Sequence, residues 1–115
     1  MRRGDVWLVD LEPARGSEAD KRRPAVIVSN DGSNMAVERL QRGTVTVVPL
    51  TSSIGRVLGF QVLVPAGPTG LPFDSKAQAE QVRTVDLERL GVKLGSVPAA
   101  IMTDLDDALR LHLDL

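Results

Sequence analysis

Lys21-Arg22-Arg23-Pro24-Ala25-Val26-Ile27-Val28-Ser29-Asn30 sets two adjacent guanidinium groups directly before an unbroken apolar run. From Pro24 to Ser29 there is no polar alternation, which is the pattern of a strand buried on both faces. Pro24 fixes the backbone at the mouth of that strand. Arg23 is thereby given a defined position, and its rigid fork of donors suits phosphate oxygens. Taken alone, an arginine pair reads as a surface salt bridge of little energetic value. Its place at a strand entrance raises an anion site as the rival reading.

Outward from this strand, Val6-Trp7-Leu8-Val9-Asp10-Leu11 reads as a preceding strand, entered through Gly4-Asp5 and closed by Glu12-Pro13. Residues Ala14 to Asp20 are a polar loop with little that can pack. Downstream, Asp31-Gly32-Ser33-Asn34 supplies capping residues for a short helix over Met35–Leu40. Thr44 to Val48 is a third strand, whose ladder Pro49 ends or bulges. Gly55 and Gly59 flank a loop before a fourth strand, Phe60–Val64. Pro65 to Pro72 is a Gly/Pro-rich loop, Lys76 to Val85 is polar and extended, and Asp86 to Leu90 makes one helical turn. Val92 to Gly95 forms a last short strand. Ser96 and Pro98 then open an amphipathic helix with Ile101, Met102, Leu105, Ala108, Leu109 and His112 on one stripe, His112 at the core's rim. Short, closely spaced strands with a terminal helix indicate a mainly β (α+β) fold, a small β-barrel carrying helices rather than a βαβ fold.

The 115 residues suffice for one domain, 1–115, with a single core. Aromatic residues make up 3% of the chain and comprise Trp7, Phe60 and Phe73, so base-stacking platforms are scarce. A net charge of −1 excludes a protein that grips nucleic acid by bulk electrostatics, leaving local placement of charge. There is no cysteine, and the one histidine lies in the C-terminal helix, which argues against thiolate zinc sites, cysteine nucleophiles, paired-histidine nucleases, a Ser-His-Asp triad and a multi-histidine metal site within one chain. Asp104, Asp106 and Asp107 read as a solvated helix face, so no metal site is expected. No glycine-rich phosphate loop occurs. No run approaches about 18 apolar residues, and no membrane contact is expected; the expected setting is the cytoplasm.

Three polar groups remain. Arg23 stands at a strand mouth, Thr51-Ser52-Ser53 follows Pro49-Leu50, and Gln78-Ala79-Glu80-Gln81-Val82-Arg83 follows the fourth strand. A barrel can bring all three to one end. Singly, the hydroxyl run reads as a turn capping its own backbone. Alternation in the third run sets Gln78, Glu80 and Val82 on one face, with Ala79, Gln81 and Arg83 on the other. Polarity on both faces marks an edge strand.

Four motifs occur in order: Arg3-Gly4-Asp5-Val6-Trp7, the Arg23–Asn30 run, Val48-Pro49-Leu50-Thr51-Ser52, and Glu80-Gln81-Val82-Arg83-Thr84-Val85-Asp86. Together with Val97-Pro98-Ala99 and its helix, they make the chain resemble the MazF/PemK/Kid family of toxin–antitoxin ribonucleases along essentially its whole length. The resemblance implies a compact SH3-like, PemK-type β-barrel with a C-terminal amphipathic helix, assembled as a homodimer. It implies cleavage of single-stranded RNA at short specific sequences with neither metal nor cofactor, leaving a 2′,3′-cyclic phosphate and a 5′-hydroxyl. It implies a cognate antitoxin whose acidic or amphipathic tail covers the RNA site. Arg23 and Thr51 match the family's principal catalytic positions. Glu80 matches an acidic residue proposed as a base in some members, although Gln78 stands where those members carry arginine. Expected RNA contacts are Glu18, Lys21, Arg22, Asn30, Ser52, Ser53, Gln78 and Gln81, and Ala14–Arg22 is the expected gate.

The residues suit this chemistry on their own terms. RNA carries its nucleophile, the 2′-hydroxyl, so no activated serine or cysteine is needed. Arg23 can neutralise charge growing on phosphate oxygens but is a poor acid, with a pKa above about 12. Thr51 can bond a phosphate oxygen or the 2′-hydroxyl, and Glu80 is the candidate base. A gyrase poison of the CcdB type would share the fold, but such toxins use an aromatic-containing C-terminal tail, whereas this chain ends Leu113-Asp114-Leu115. A non-catalytic RNA- or peptide-binding barrel is the third reading; it predicts binding without product.

Overall fold

The computed structural model describes residues 1–115. Seven strands form one antiparallel sheet: β1 (Asp5–Asp10), β2 (Arg22–Ile27), β3 (Thr44–Thr51), β4 (Gln61–Val64), β5 (Ser75–Gln78), β6 (Arg83–Asp86) and β7 (Leu90–Ser96). Two helices join them, α1 (Asp31–Leu40) and α2 (Ala99–Leu113). The path runs β4-β5-β3-β2-β1-β7, and β6 adds to β3. β3 therefore changes neighbour along its length: Thr44–Val47 pair with β6, and Leu50 and Thr51 pair with β5.

β2 is buried on both faces, as its sequence requires. Val26 joins a cluster with Val6, Val48, Leu50, Val62, Val64 and, from α2, Leu105 and Ala108. Ala25 and Ile27 join a second cluster with Val9, Leu11, Val37, Val45 and Val47. The first cluster draws on β4 and β1, near opposite ends of the path, so the sheet curls around it while α2 closes the opening. This is the small barrel with a C-terminal helix that the strand pattern predicts. No helix is long and apolar enough to cross a membrane.

Several local expectations change. α1 begins at Asp31, four residues early, because the Asn30 side chain caps it by accepting from Ser33 N at 2.8 Å. β3 runs through Pro49, which pairs with Ala25, and ends at Thr51. The extended segment 76–85 is broken by a 3₁₀ turn at Ala79–Gln81, closed by Val82 N donating to Ala79 O, so strict alternation across Gln78–Arg83 does not hold. β7 is longer than expected and takes in Gly91 and Ser96. His112 is exposed beside Phe60 rather than set at the core's rim.

The loop between β4 and β5 is pressed onto β7. A Cβ at Gly70, where φ is +73°, would lie 1.9 Å from Leu94 O. A Cβ at Gly95 would lie 2.6 Å from both Thr69 C and Thr69 O. Glycine is the side chain that permits this backbone contact. Leu71 is buried in the first cluster, and Thr69 is fully buried with Oγ1 donating to Pro65 O at 2.8 Å.

Candidate active site

The β2–β3 ladder has three pairs, Ile27–Val47, Val26–Val48 and Ala25–Pro49. Beyond them Pro24 has no N–H to give, and Pro49 likewise lacks one, so the ladder ends there while β2 stays paired to β1 out to Arg22. Continued two residues, the same register sets Arg23 across from Thr51. The two strand ends open a cleft of about 340 Å³. Its lining includes Lys21, Arg22, Arg23, Thr51, Ser52 and Ser53, together with Leu71, Pro72, Phe73 and Ser75.

Arg23 is held from one side. Its Nε donates to Asp20 O at 2.7 Å, and its Nη2 donates to Asp20 Oδ1 at 2.9 Å. Nη1 takes part in neither bond, so one arm of the guanidinium is left for a ligand. The hydrogen bond from Arg23 holds the Asp20 carboxyl below its ordinary value. A depressed carboxylate pKa means the contact is complete above the ordinary value and is lost only as pH falls through the lower, folded one. Above the ordinary carboxylate range the Asp20 side of the contact is therefore constant. Arg23→Ala should let Asp20 titrate at higher pH, followed by ¹³C NMR of the carboxyl; an unchanged midpoint would contradict the contact.

Thr51 ends β3 with Oγ1 accepting from Ser53 N at 3.2 Å, so its hydroxyl hydrogen remains to be donated. This is the self-capping turn expected of the hydroxyl run, and it also presents Ser52 and Ser53 to the cleft. Lys21 precedes β2 in the left-handed region at φ +65°, its N donating to Glu12 Oε1 at 2.7 Å.

The remaining predicted residues lie elsewhere. Glu80 is not in the cleft wall: its Oε2 accepts from Gln61 Nε2 at 2.6 Å, and its Oε1 is buried without a partner. It stands on the 3₁₀ turn that follows β5, whereas Thr51 pairs with Lys76 at the other end of that strand. Gln81 fastens the β1–β2 loop, its Oε1 accepting from Ala19 N at 3.0 Å and its Nε2 donating to Ser17 O at 2.9 Å. That loop is less free than its composition predicts, because Ala19 is buried in the second cluster, although the stretch Arg15–Glu18 is exposed. Glu18 is at this tip. Gln78 pairs with Gln61 within the sheet. Asn30 caps α1 beyond the far end of β2. Phe73 and Ser75 are cleft residues that sequence reasoning passed over; the available signal was an aromatic residue left in a Gly/Pro loop.

No group of three or more histidine, cysteine or acidic side chains converges in the chain. The arrangement offers one restrained cation, a hydroxyl donor across from it, and further cations and hydroxyls along one wall. It can bind a phosphodiester and stabilise negative charge on it.

Comparison with known proteins identifies the family and the fold. Residues 2–113 match the family described as PemK-like, MazF-like toxin of type II toxin–antitoxin system. The chain is 59% identical over 115 residues to endoribonuclease MazF9 of Mycobacterium tuberculosis (strain ATCC 25618 / H37Rv), covering 100% of this chain and 98% of that relative. It is 37% identical over 116 residues to endoribonuclease MazF of Staphylococcus epidermidis, covering 100% and 92%. A solved endoribonuclease in complex with its cognate antitoxin, from a mycobacterial species, superposes with a TM-score of 0.77 at 28% identity, covering 100% of this chain and 96% of that one. A matched family pattern over nearly every residue, two relatives aligned along the whole of this chain and a shared fold lead to one conclusion: the chain belongs to the PemK-like, MazF-like toxins of type II toxin–antitoxin systems.

Proposed function

We propose that this member of the MazF-type endoribonuclease family cleaves single-stranded RNA at short specific sequences without a metal ion, leaving a 2′,3′-cyclic phosphate and a 5′-hydroxyl. The observation that carries the reading is Arg23 set across from Thr51 where the β2–β3 ladder opens. The 2′-oxygen attacks phosphorus while the bond from phosphorus to the 5′-oxygen breaks. Arg23, through Nη1, neutralises the charge that grows on the phosphate oxygens, and Thr51 donates its hydroxyl to one of them. Lys21, Arg22, Ser52 and Ser53 hold the strand on either side.

Proton movement is assigned to water, which takes the 2′ proton and supplies one to the leaving 5′-oxygen. Glu80 is bound to Gln61 outside the cleft wall, and Asp20, held below its ordinary value by Arg23, is a weak proton acceptor at neutral pH. Glu80 and Gln81 instead position the site: one braces Gln61, whose Oε1 accepts from Leu58 N at 3.0 Å, and the other braces the β1–β2 loop.

In this reading the protein acts in the cytoplasm as a homodimer and is silenced by a cognate antitoxin. Support for the antitoxin is the solved relative in complex with its own. The direct test incubates purified protein with mixed RNA and excess EDTA, then examines the ends. Products should persist under chelation and require phosphorylation of their 5′ ends before ligation. Loss of all cleavage with EDTA would sink the metal-free mechanism; binding without product would favour a non-catalytic barrel.

A further inference from the structure

Phe73 is 69% exposed in the wall of the cleft, whereas Leu50 and Leu71, the other large apolar residues there, are buried. It is the cleft's one aromatic residue: Trp7 packs against the second core cluster, and Phe60 lies beside His112. Exposure of a phenyl ring is unfavourable in isolation, and nothing in the loop's build suggests that Phe73 is simply loose. Gly70 and Gly95 bring the β4–β5 loop against β7. Leu71 anchors the loop in the core two residues before Phe73. Asp74 Oδ1 accepts from Ala66 N at 2.9 Å, and Ser75 Oγ donates to Phe73 O at 3.2 Å. The backbone on both sides of the ring is fixed.

We propose that Phe73 is a stacking platform for an unpaired base adjacent to the scissile phosphate. The inference rests on the reading of the cleft as an RNA site and specifies how that site engages a base. An aromatic face beside cations and hydroxyls matches the two parts of a single-stranded nucleotide, a π-face and an anionic backbone. A paired base has both faces covered by its neighbours, so this contact also selects single strands. Because every base has a π-face, Phe73 adds affinity and position, while hydrogen-bonding groups nearby choose the base.

The test uses the full chain and a short RNA carrying a cut site mapped from its own products, with one 2′-deoxy nucleotide at the scissile position to block cleavage. Phe73→Ala should bind this RNA about ten- to a hundred-fold more weakly, the range that loss of one base–aromatic stack gives. On the cleavable RNA the loss should appear more strongly in KM than in kcat, the split expected when a binding contact is removed. Phe73→Trp should keep affinity, and its added indole emission should be quenched by RNA, with the Trp7 background taken from the parent. Phe73→Leu, apolar without a π-face, should resemble Phe73→Ala. A single abasic nucleotide, moved along the RNA, should weaken the parent at one position near the cut and leave Phe73→Ala unaffected there.

Parent-like affinity in Phe73→Ala, or abasic effects that are the same in both proteins at every position, would overturn the platform while leaving the nuclease reading intact. Conversion of a dimer to a monomer in Phe73→Ala, seen by light scattering, would overturn it in favour of a contact between copies. Absence of both RNA binding and cleavage in the parent would instead remove the nuclease reading, and this inference with it.

Discussion

Arg23→Ala is expected to slow RNA cleavage by about a hundred- to a thousand-fold, the loss that follows removal of one preorganised donor from a developing oxyanion. The size follows from how the residue is held. Two hydrogen bonds to Asp20 fix the guanidinium before substrate arrives, so little reorganisation is needed as charge builds. Arg23→Lys should recover little, since an ammonium on a flexible stem cannot keep both the Asp20 contacts and the ligand-facing arm. Stability should change little: the Arg23–Asp20 pair is partly exposed, and such pairs contribute weakly. Single-turnover cleavage of an RNA with a mapped site, alongside a thermal melt, separates the two effects. A folded Arg23→Ala protein with a rate within about threefold of the parent would remove Arg23 from the catalytic machinery.

Gly70→Ala is expected to produce the largest loss of stability, about 3 kcal/mol or more. The left-handed backbone costs a side chain roughly 1–2 kcal/mol, and overpacking adds about 1–3 kcal/mol. The new Cβ would meet a backbone carbonyl, Leu94 O, which cannot swing away as a side chain end can. For a domain of this size the melting temperature should fall by roughly 10 °C or more. Gly16→Ala is the control, because Gly16 has φ +56° but nothing within 4 Å of its would-be Cβ. That variant should lose only the conformational part, about 1–2 kcal/mol. Equal melting temperatures for the two variants would show that the contact with β7 is not tight in solution.

Much of the architecture was legible because burial imposes a pattern. The apolar run of β2 could satisfy only a strand with core on both sides, and the stripe on α2 placed Leu105 and Ala108 against the barrel. That Arg23 and Thr51 stand at the same end of β2 and β3 follows from the register once the two strands are antiparallel, because each lies two residues beyond the last ladder pair. The third polar run departs from the continuous extended segment read in the sequence, for a local reason. Gln78–Val82 alternates like a strand, but Ala79 enters the core and the backbone turns there, which sends Glu80 toward Gln61 and Gln81 toward Ser17 and Ala19. Amide and carboxylate side chains that serve ligands are chemically the same as those that tie loops, and only the tertiary path separates the two. His112 sits near the free end of α2, past the turns that touch the sheet, so its place on the stripe did not bring burial.

Each loop bordering the cleft has its own tether. Gln81 ties the β1–β2 loop, Gln61 and Lys76 tie the β3–β4 loop through Leu58 N and Arg56 O, and the Gly70–Gly95 approach ties the β4–β5 loop. Arg23 and Thr51 stand on strand ends fixed by the sheet, and each also meets its adjoining loop, Arg23 by donating to Asp20 and Thr51 by accepting from Ser53 N. The three loops are thereby fastened by different side chains and backbone contacts, so loosening one at its tether should leave the other two seated around the cleft.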